Sequence, residues 1–297
     1  MKLKKFMSLA LAAAMVASVA GCAKVKSISS DDFISACDKQ DAQEVDYDDA
    51  NDADPDDLED GLYTVLDSDQ IEEIMDDPYT SMSISQMGVE IPYDSDDIES
   101  MVIYAKMNGV DDIDSVSDPE DLGDIETNGV VGVQITMTEA DMVPELFDAI
   151  ADAFDDGLDY EVDSFSGNEY YTGKNEGYLR VNISVEDLVA AFRDSDIYGY
   201  LGDMSGDDMD DLEDVLDNLT GNLCVAVYAK GENIVIVVGF SIGSDVTLLD
   251  SFCSDLGVQS PSKVPANADL PVAIMDAVDD SLGSLMSMYS TYAVDEY

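Results

Sequence analysis

Residues 223–240 read LCVAVYAKGENIVIVVGF, two apolar runs on either side of a short polar segment. Both runs are rich in Val and Ile, residues that fit a pleated and largely buried strand. Between them, Lys230-Gly231-Glu232-Asn233 places a glycine among polar residues, which is typical of a tight hairpin turn. The segment therefore predicts two antiparallel strands, Leu223–Ala229 and Ile234–Phe240.

The rest of the chain adds further strands and amphipathic helices to this hairpin. Val130–Met137 has the alternation of a strand with one buried face, and strands are also predicted at Tyr79–Met87 and Tyr160–Phe165. The clearest helix has its apolar residues on one face, at Val143, Leu146, Phe147, Ile150 and Phe154. Because strands and helices follow each other without strict βαβ alternation, we predict an α+β domain with helices packed on an antiparallel sheet.

Two segments of this domain resemble each other. One begins at Met101 and reads MVIYAKMNG, and the other begins at Val225 and reads VAVYAKGEN. The match indicates a domain of two similar halves, residues 30–128 and residues 129–260. The alternative explanation is that two strands of ordinary composition resemble each other by chance.

The N-terminal residues have the pattern of a secretory leader. Three lysines (Lys2, Lys4 and Lys5) precede an apolar run from Phe6 to Ala20, which is short for a membrane-spanning helix. The run ends in Val19-Ala20-Gly21-Cys22, and this sequence resembles the lipobox of bacterial lipoproteins. The resemblance implies that residues 1–21 are a signal peptide and that Cys22 carries the lipid. It implies a protein that faces the extracytoplasmic side of the cell membrane, and nothing about its activity.

The composition then suggests how the chain is divided. Residues 22–29 are predicted to be a tether, and residues 30–260 the α+β domain. Three prolines and many Ser, Met and Tyr residues follow, so residues 261–297 are predicted to be a linker and a C-terminal tail.

The charge of the chain excludes several classes of function. There are 67 Asp and Glu residues against 12 Lys and Arg residues, giving a formal net charge of -55. Nucleic-acid binding needs a basic surface, so no nucleic-acid partner is expected. The chain has no His, which excludes Ser-His-Asp triads and His-containing zinc sites. Cations and basic peptides or proteins are the partners that such a charge attracts.

No sequence motif for catalysis is present, and one segment is comparable to a metal-binding loop. Asp203, Ser205, Asp207 and Asp214 stand at positions 1, 3, 5 and 12 of an EF-hand-like spacing, which would suit Ca²⁺. Two features depart from that motif: Asp208 replaces the turn glycine at position 6, and Asp214 is shorter than the usual Glu. We therefore expect no dedicated metal or cofactor site, with Ca²⁺ at these four residues as the alternative.

Two classes of function remain open from the sequence. The first is a lipid-anchored, acidic binding or interaction protein without catalytic activity. The second is an extracytoplasmic hydrolase that uses paired carboxylates, for example on glycans. With so many acidic residues, the presence of a carboxylate pair does not distinguish the two classes.

Overall fold

The computed structural model describes residues 25–76, 93–109, 125–140, 142–166, 168–204 and 208–279. The strands are β1 (Gln43–Glu44), β2 (Leu62–Leu66), β3 (Ile98–Asn108), β4 (Thr127–Met137), β5 (Tyr170–Thr172), β6 (Glu176–Ser184), β7 (Gly221–Lys230) and β8 (Asn233–Ile242). The helices are α1 (Ser30–Lys39), α2 (Tyr47–Asp52), α3 (Ser68–Asp76), α4 (Val143–Leu158), α5 (Val185–Asp194), α6 (Asp196–Met204), α7 (Asp208–Asn218), α8 (Thr247–Leu256) and α9 (residues 270–279).

The strands of the described residues form one sheet in the order β1-β2-β3-β4-β8-β7-β6-β5. Neighbouring strands are antiparallel except for β1 and β2, which are parallel. The predicted hairpin is confirmed, because β7 and β8 pair from Gly221↔Ile242 to Lys230↔Asn233. The sheet and its helices confirm the predicted α+β class.

The sheet buries an apolar core on each of its faces. Face A is the side to which Met101 and Ile103 of β3 point, and their core includes residues of α3 and α4. Face B is the side of Val102 and Tyr104, which pack with residues of α1 and α8. Because both faces are covered, β3 is apolar almost without interruption.

Glycine allows the helices of face B to approach the sheet closely. A Cβ atom placed on Gly132 of β4 would lie 2.8 Å from the ring of Phe252 and 2.9 Å from the ring of Phe33. These two rings belong to α8 and α1 and meet edge to face, with centroids 5.4 Å apart. The missing side chain at Gly132 therefore makes room for the central aromatic contact of this core.

The two similar sequence segments lie on equivalent strands of a repeated unit. Among the described residues, each unit has a strand, at least one helix and two long antiparallel strands: β2–α3–β3–β4, and β6–α5–α6–α7–β7–β8. Aligning MVIYAK with VAVYAK superposes Tyr104 on Tyr228, and each of these tyrosines pairs across the sheet with another tyrosine, Tyr63 or Tyr178. The two segments therefore occupy matching places in the sheet, and the division into two similar halves stays a prediction.

The limits of these units differ from the predicted limits. Residue 128 lies inside β4, which is the last strand of the first unit, so the chain passes to the second unit only after residue 137. Residues 261–279, predicted as part of a linker, fold back on the domain, and Val264 and Leu270 are buried there. The side-chain amide of Asn182 donates to the carbonyl oxygen of Val264 at 3.1 Å, which fixes this segment to β6.

The strand predicted at Tyr160–Phe165 is wrong. Asp159 ends α4 in the left-handed region, with a φ of 48°, and this turns the chain back toward the helix. Tyr160 and Phe165 then pack around Phe154, with ring centroids 6.1 and 5.7 Å from it, and a single 3-10 turn lies between them. The strand predicted at Tyr79–Met87 lies outside the described residues. Among the helices that are described, none has the length and apolar character needed to cross a membrane.

Candidate functional site

Most basic side chains of the described residues are held by oxygen atoms of the chain itself. Arg193 lies 2.6 Å from Glu213 and 2.7 Å from Asp217, and Lys230 lies 2.6 Å from Glu176. Further ion pairs join Lys26 to Asp32, Lys39 to Asp255 and Lys263 to Asp250. Since acidic residues outnumber basic ones by 67 to 12, these pairs leave a large excess of negative charge on the protein.

A polar cleft opens at one end of the sheet, where β6 and β8 end and β7 begins. Its volume is about 540 Å³. Its lining consists of Ser184, Glu186, Thr220, Gly221, Asn222, Gly243, Ser244 and Asp245. Apart from the glycines, all these side chains are polar, two of them are acidic, and none is basic. A ligand in this cleft therefore meets oxygen atoms and negative charge.

The ends of the three strands fix the shape of the cleft. Ser184 ends β6 and caps α5, accepting a hydrogen bond from the Asp187 backbone N–H at 3.0 Å, as the Ser184-x-x-Asp187 spacing predicts. Gly221 and Gly243 have φ values of 139° and 65°, and a Cβ atom on either would lie 2.1 Å from a backbone oxygen. The Gly243 N–H donates to the Thr220 carbonyl oxygen at 2.9 Å, which joins two walls of the cleft.

Hydrogen-bond donors of the cleft are already used inside the protein. The Asn222 backbone N–H donates to Ser241 Oγ at 3.1 Å, and its side-chain Nδ2 donates to Asn182 Oδ1 at 2.9 Å. Ser244 Oγ donates to the Thr127 carbonyl oxygen at 2.9 Å. The two lining carboxylates, in contrast, form no ion pair with any described basic residue. The two carboxylates are thus the charged groups of the cleft without an ion-pair partner among the described residues, and they suit ligands that carry N–H groups and positive charge.

The site residues predicted from the sequence fall mostly outside the described residues. Cys22, Ser205 and Asp207 belong to segments that are not described, and the side chains of Asp203 and Asp214 are not described either. Among the described residues, no group of three acidic or cysteine side chains is arranged to hold a metal ion. The Ca²⁺ alternative at residues 203–214 therefore stays a prediction.

Three of the described cysteines are buried and form no disulfide bond. They are Cys37, Cys224 and Cys253. Burial raises the pKa of each thiol to about 12, because a thiolate would lose its hydration there. The thiolate is the nucleophilic form of cysteine, so none of these residues serves as a nucleophile near neutral pH.

These pKa values predict how the thiols react. At pH 8 we expect a thiol reagent such as dithionitrobenzoate to modify none of the three buried cysteines in the folded protein, and all three after unfolding in guanidinium chloride. Since the folded pKa is raised above the unfolded value, the protein should also lose stability as the pH rises above about 9, where the unfolded thiols ionise first. Rapid stoichiometric labelling of the folded protein at pH 8 would contradict the buried positions.

No family model matches the chain, and neither a curated protein nor a solved structure does. The interpretation of the cleft therefore depends on its own geometry. The cleft could not be recognised from the sequence, because its lining comes from three segments and contains no recurrent motif. The sequence feature that could have pointed to the cleft is the pair of glycines, Gly221 and Gly243, at the ends of neighbouring strands.

Proposed function

We propose that this chain is an extracytoplasmic binding protein, anchored to the cell membrane by a lipid on Cys22, that takes cationic ligands such as basic peptides or proteins. The observation that carries this proposal is the cleft, where two carboxylates and several other acceptors meet and no basic side chain is present. The lipobox-like sequence supports the lipid anchor. The net charge of -55 supports a ligand of positive charge.

The chemistry of the cleft favours ammonium and guanidinium groups. Both groups are hydrogen-bond donors only, so they complement the carboxylates of Glu186 and Asp245. The excess negative charge attracts cations over a distance of about 8–10 Å at physiological salt. Long-range attraction would thus bring a basic ligand to the protein, and Glu186 and Asp245 would hold one of its charged groups.

The cleft carboxylates can be tested by substitution. We expect Glu186→Gln combined with Asp245→Asn to weaken binding of a fluorescein-labelled oligolysine or oligoarginine peptide about three- to tenfold. Each substitution keeps the size of the side chain and removes one charge. Fluorescence anisotropy at several salt concentrations measures the effect.

A matched control distinguishes the contribution of the cleft to peptide binding from that of the overall negative charge. Asp48→Asn combined with Asp49→Asn removes the same number of charges from exposed positions of α2, outside the cleft lining. We expect this control to change peptide affinity less than twofold. Equal losses in both double variants would mean that the peptide is held by diffuse charge alone, and would overturn the cleft as the binding site.

A further inference from the structure

Arg180 is a buried cation that forms no ion pair with any described acidic residue. It lies in the middle of β6 on face B, with 2% of its surface exposed. Its Nε and Nη1 atoms have no hydrogen-bond acceptor among the described residues, and its guanidinium carbon lies 4.4 Å from the ring centroid of Tyr178. A guanidinium group stays charged in proteins, and burying an unpaired charge is costly.

None of the described acidic residues forms an ion pair with Arg180. Glu169 lies directly across from it, because the Arg180 N–H donates to the Glu169 carbonyl oxygen at 3.1 Å. The carboxylate of Glu169, however, accepts from the Ser166 N–H at 2.6 Å and forms no ion pair with Arg180. Arg193, in contrast, contacts two carboxylates. Arg180 thus lacks a carboxylate partner among the described residues, whereas Arg193 has two.

The fold itself does not require an arginine at this place. Arg180 pairs with Ala226 of β7, and Val65 pairs with Val102 of β3. Val102 and Ala226 occupy the same position in MVIYAK and VAVYAK, so Val65 is the counterpart of Arg180 in the first unit. Val65 is 42% exposed. The first unit therefore forms with a solvent-exposed apolar residue at the position that Arg180 occupies in the second.

The segment that follows α8 covers the part of β6 and β7 around Arg180. The segment that includes Pro261–Lys263 contacts β6 and β7. It is held by hydrogen bonds from Tyr228 to the carbonyl oxygen of Gln259 and from Asn182 to that of Val264. Asn182 Oδ1 already accepts from Asn222 and Cys224. Asn182 and Tyr228 thus bond to other groups, and Nε and Nη1 of Arg180 still lack an acceptor among the described residues.

We propose that Arg180 binds a small inorganic monoanion of halide size, enclosed between the β6–β7 pair and the segment that follows α8. The anion accepts hydrogen bonds from the guanidinium donors and neutralises the buried charge. Carboxylates on the protein surface act through solvent and are screened within about 8–10 Å, so they do not replace a direct partner. This site lies apart from the cationic cleft and does not depend on the proposed function.

Thermal unfolding of the full-length protein in non-ionic detergent tests the site. Sodium chloride, sodium bromide and sodium gluconate are compared at the same ionic strength, which keeps general screening constant. We expect the wild type to melt about 2–4 °C higher in chloride and bromide than in gluconate, and Arg180→Met to show no such difference. An equal halide effect in both proteins, or none in the wild type, would overturn the proposal.

Crystals of the wild type with bromide test the site without a variant, which matters if Arg180→Met fails to fold. In crystals grown from sodium bromide, we expect an anomalous difference peak within hydrogen-bond distance of the Arg180 guanidinium group. An ordered water molecule at that place, with no anomalous signal, would show that solvent satisfies the donors and would refute the anion site.

Discussion

Replacing Cys22 with alanine is expected to release the protein completely from the membrane fraction. The proposed anchor is a lipid attached to this residue, after the Val19-Ala20-Gly21 sequence that resembles a lipobox. Each buried CH₂ group contributes about 0.8 kcal/mol, so two or three acyl chains together hold a protein durably, whereas one chain holds it only weakly. Cell fractionation and metabolic labelling with an alkynyl fatty acid measure the effect: the wild type should carry the label, and Cys22→Ala should not.

The buried cysteines provide a matched control for this experiment. Cys253→Ala removes another thiol of the same chain, at a position that is fully buried in the core of face B. This variant should still be labelled and should stay with the membrane. Equal labelling of Cys22→Ala and wild type would show that the lipid, if any, is attached elsewhere.

The central hairpin was predictable because its strand-forming residues and its turn lie within one short stretch of sequence. In β7 and β8, residues with strand preference flank a short glycine-containing turn, and no distant contact is needed to recognise the hairpin. The helix α4 was predictable for a similar reason, since its apolar face repeats with the helical period. At residues 160–165 the local pattern failed, because the reversal at Asp159 and the packing on Phe154 decide the conformation there.

The environment of Arg180 shows why burial is harder to predict than secondary structure. In the sequence Tyr178-Leu179-Arg180-Val181, a charged residue alternates with apolar ones, which is typical of a strand with one wet face. In the folded protein, the segment that follows α8 covers this face. The prolines of that segment had led us to predict a linker outside the domain. The cleft is missed for the same physical reason: three strand ends that are distant in sequence meet only in the folded chain.

The largest loss of stability is expected for Phe252→Ala. This side chain is fully buried, stacks on Tyr104 with ring centroids 4.4 Å apart, and meets Phe33 edge to face. Its loss would leave a cavity where the two helices of face B meet the sheet at Gly132. Truncation of a buried phenylalanine costs about 3–5 kcal/mol, and we expect the midpoint of thermal unfolding to fall by about 10 °C or more.

Two further variants show whether this loss comes from the aromatic core. Val272→Ala shortens an apolar side chain that is 50% exposed, and its effect should stay within about 0.5 kcal/mol. Tyr104→Phe keeps the ring that stacks on Phe252 and removes a buried hydroxyl that has no hydrogen-bond partner among the described residues. This variant should therefore leave the stability unchanged or raise it. Chemical denaturation of all three variants measures the differences in unfolding free energy. A cost of Phe252→Ala no larger than that of Val272→Ala would contradict the placement of α8 against the sheet, because a ring packed in this core cannot be removed without a cavity.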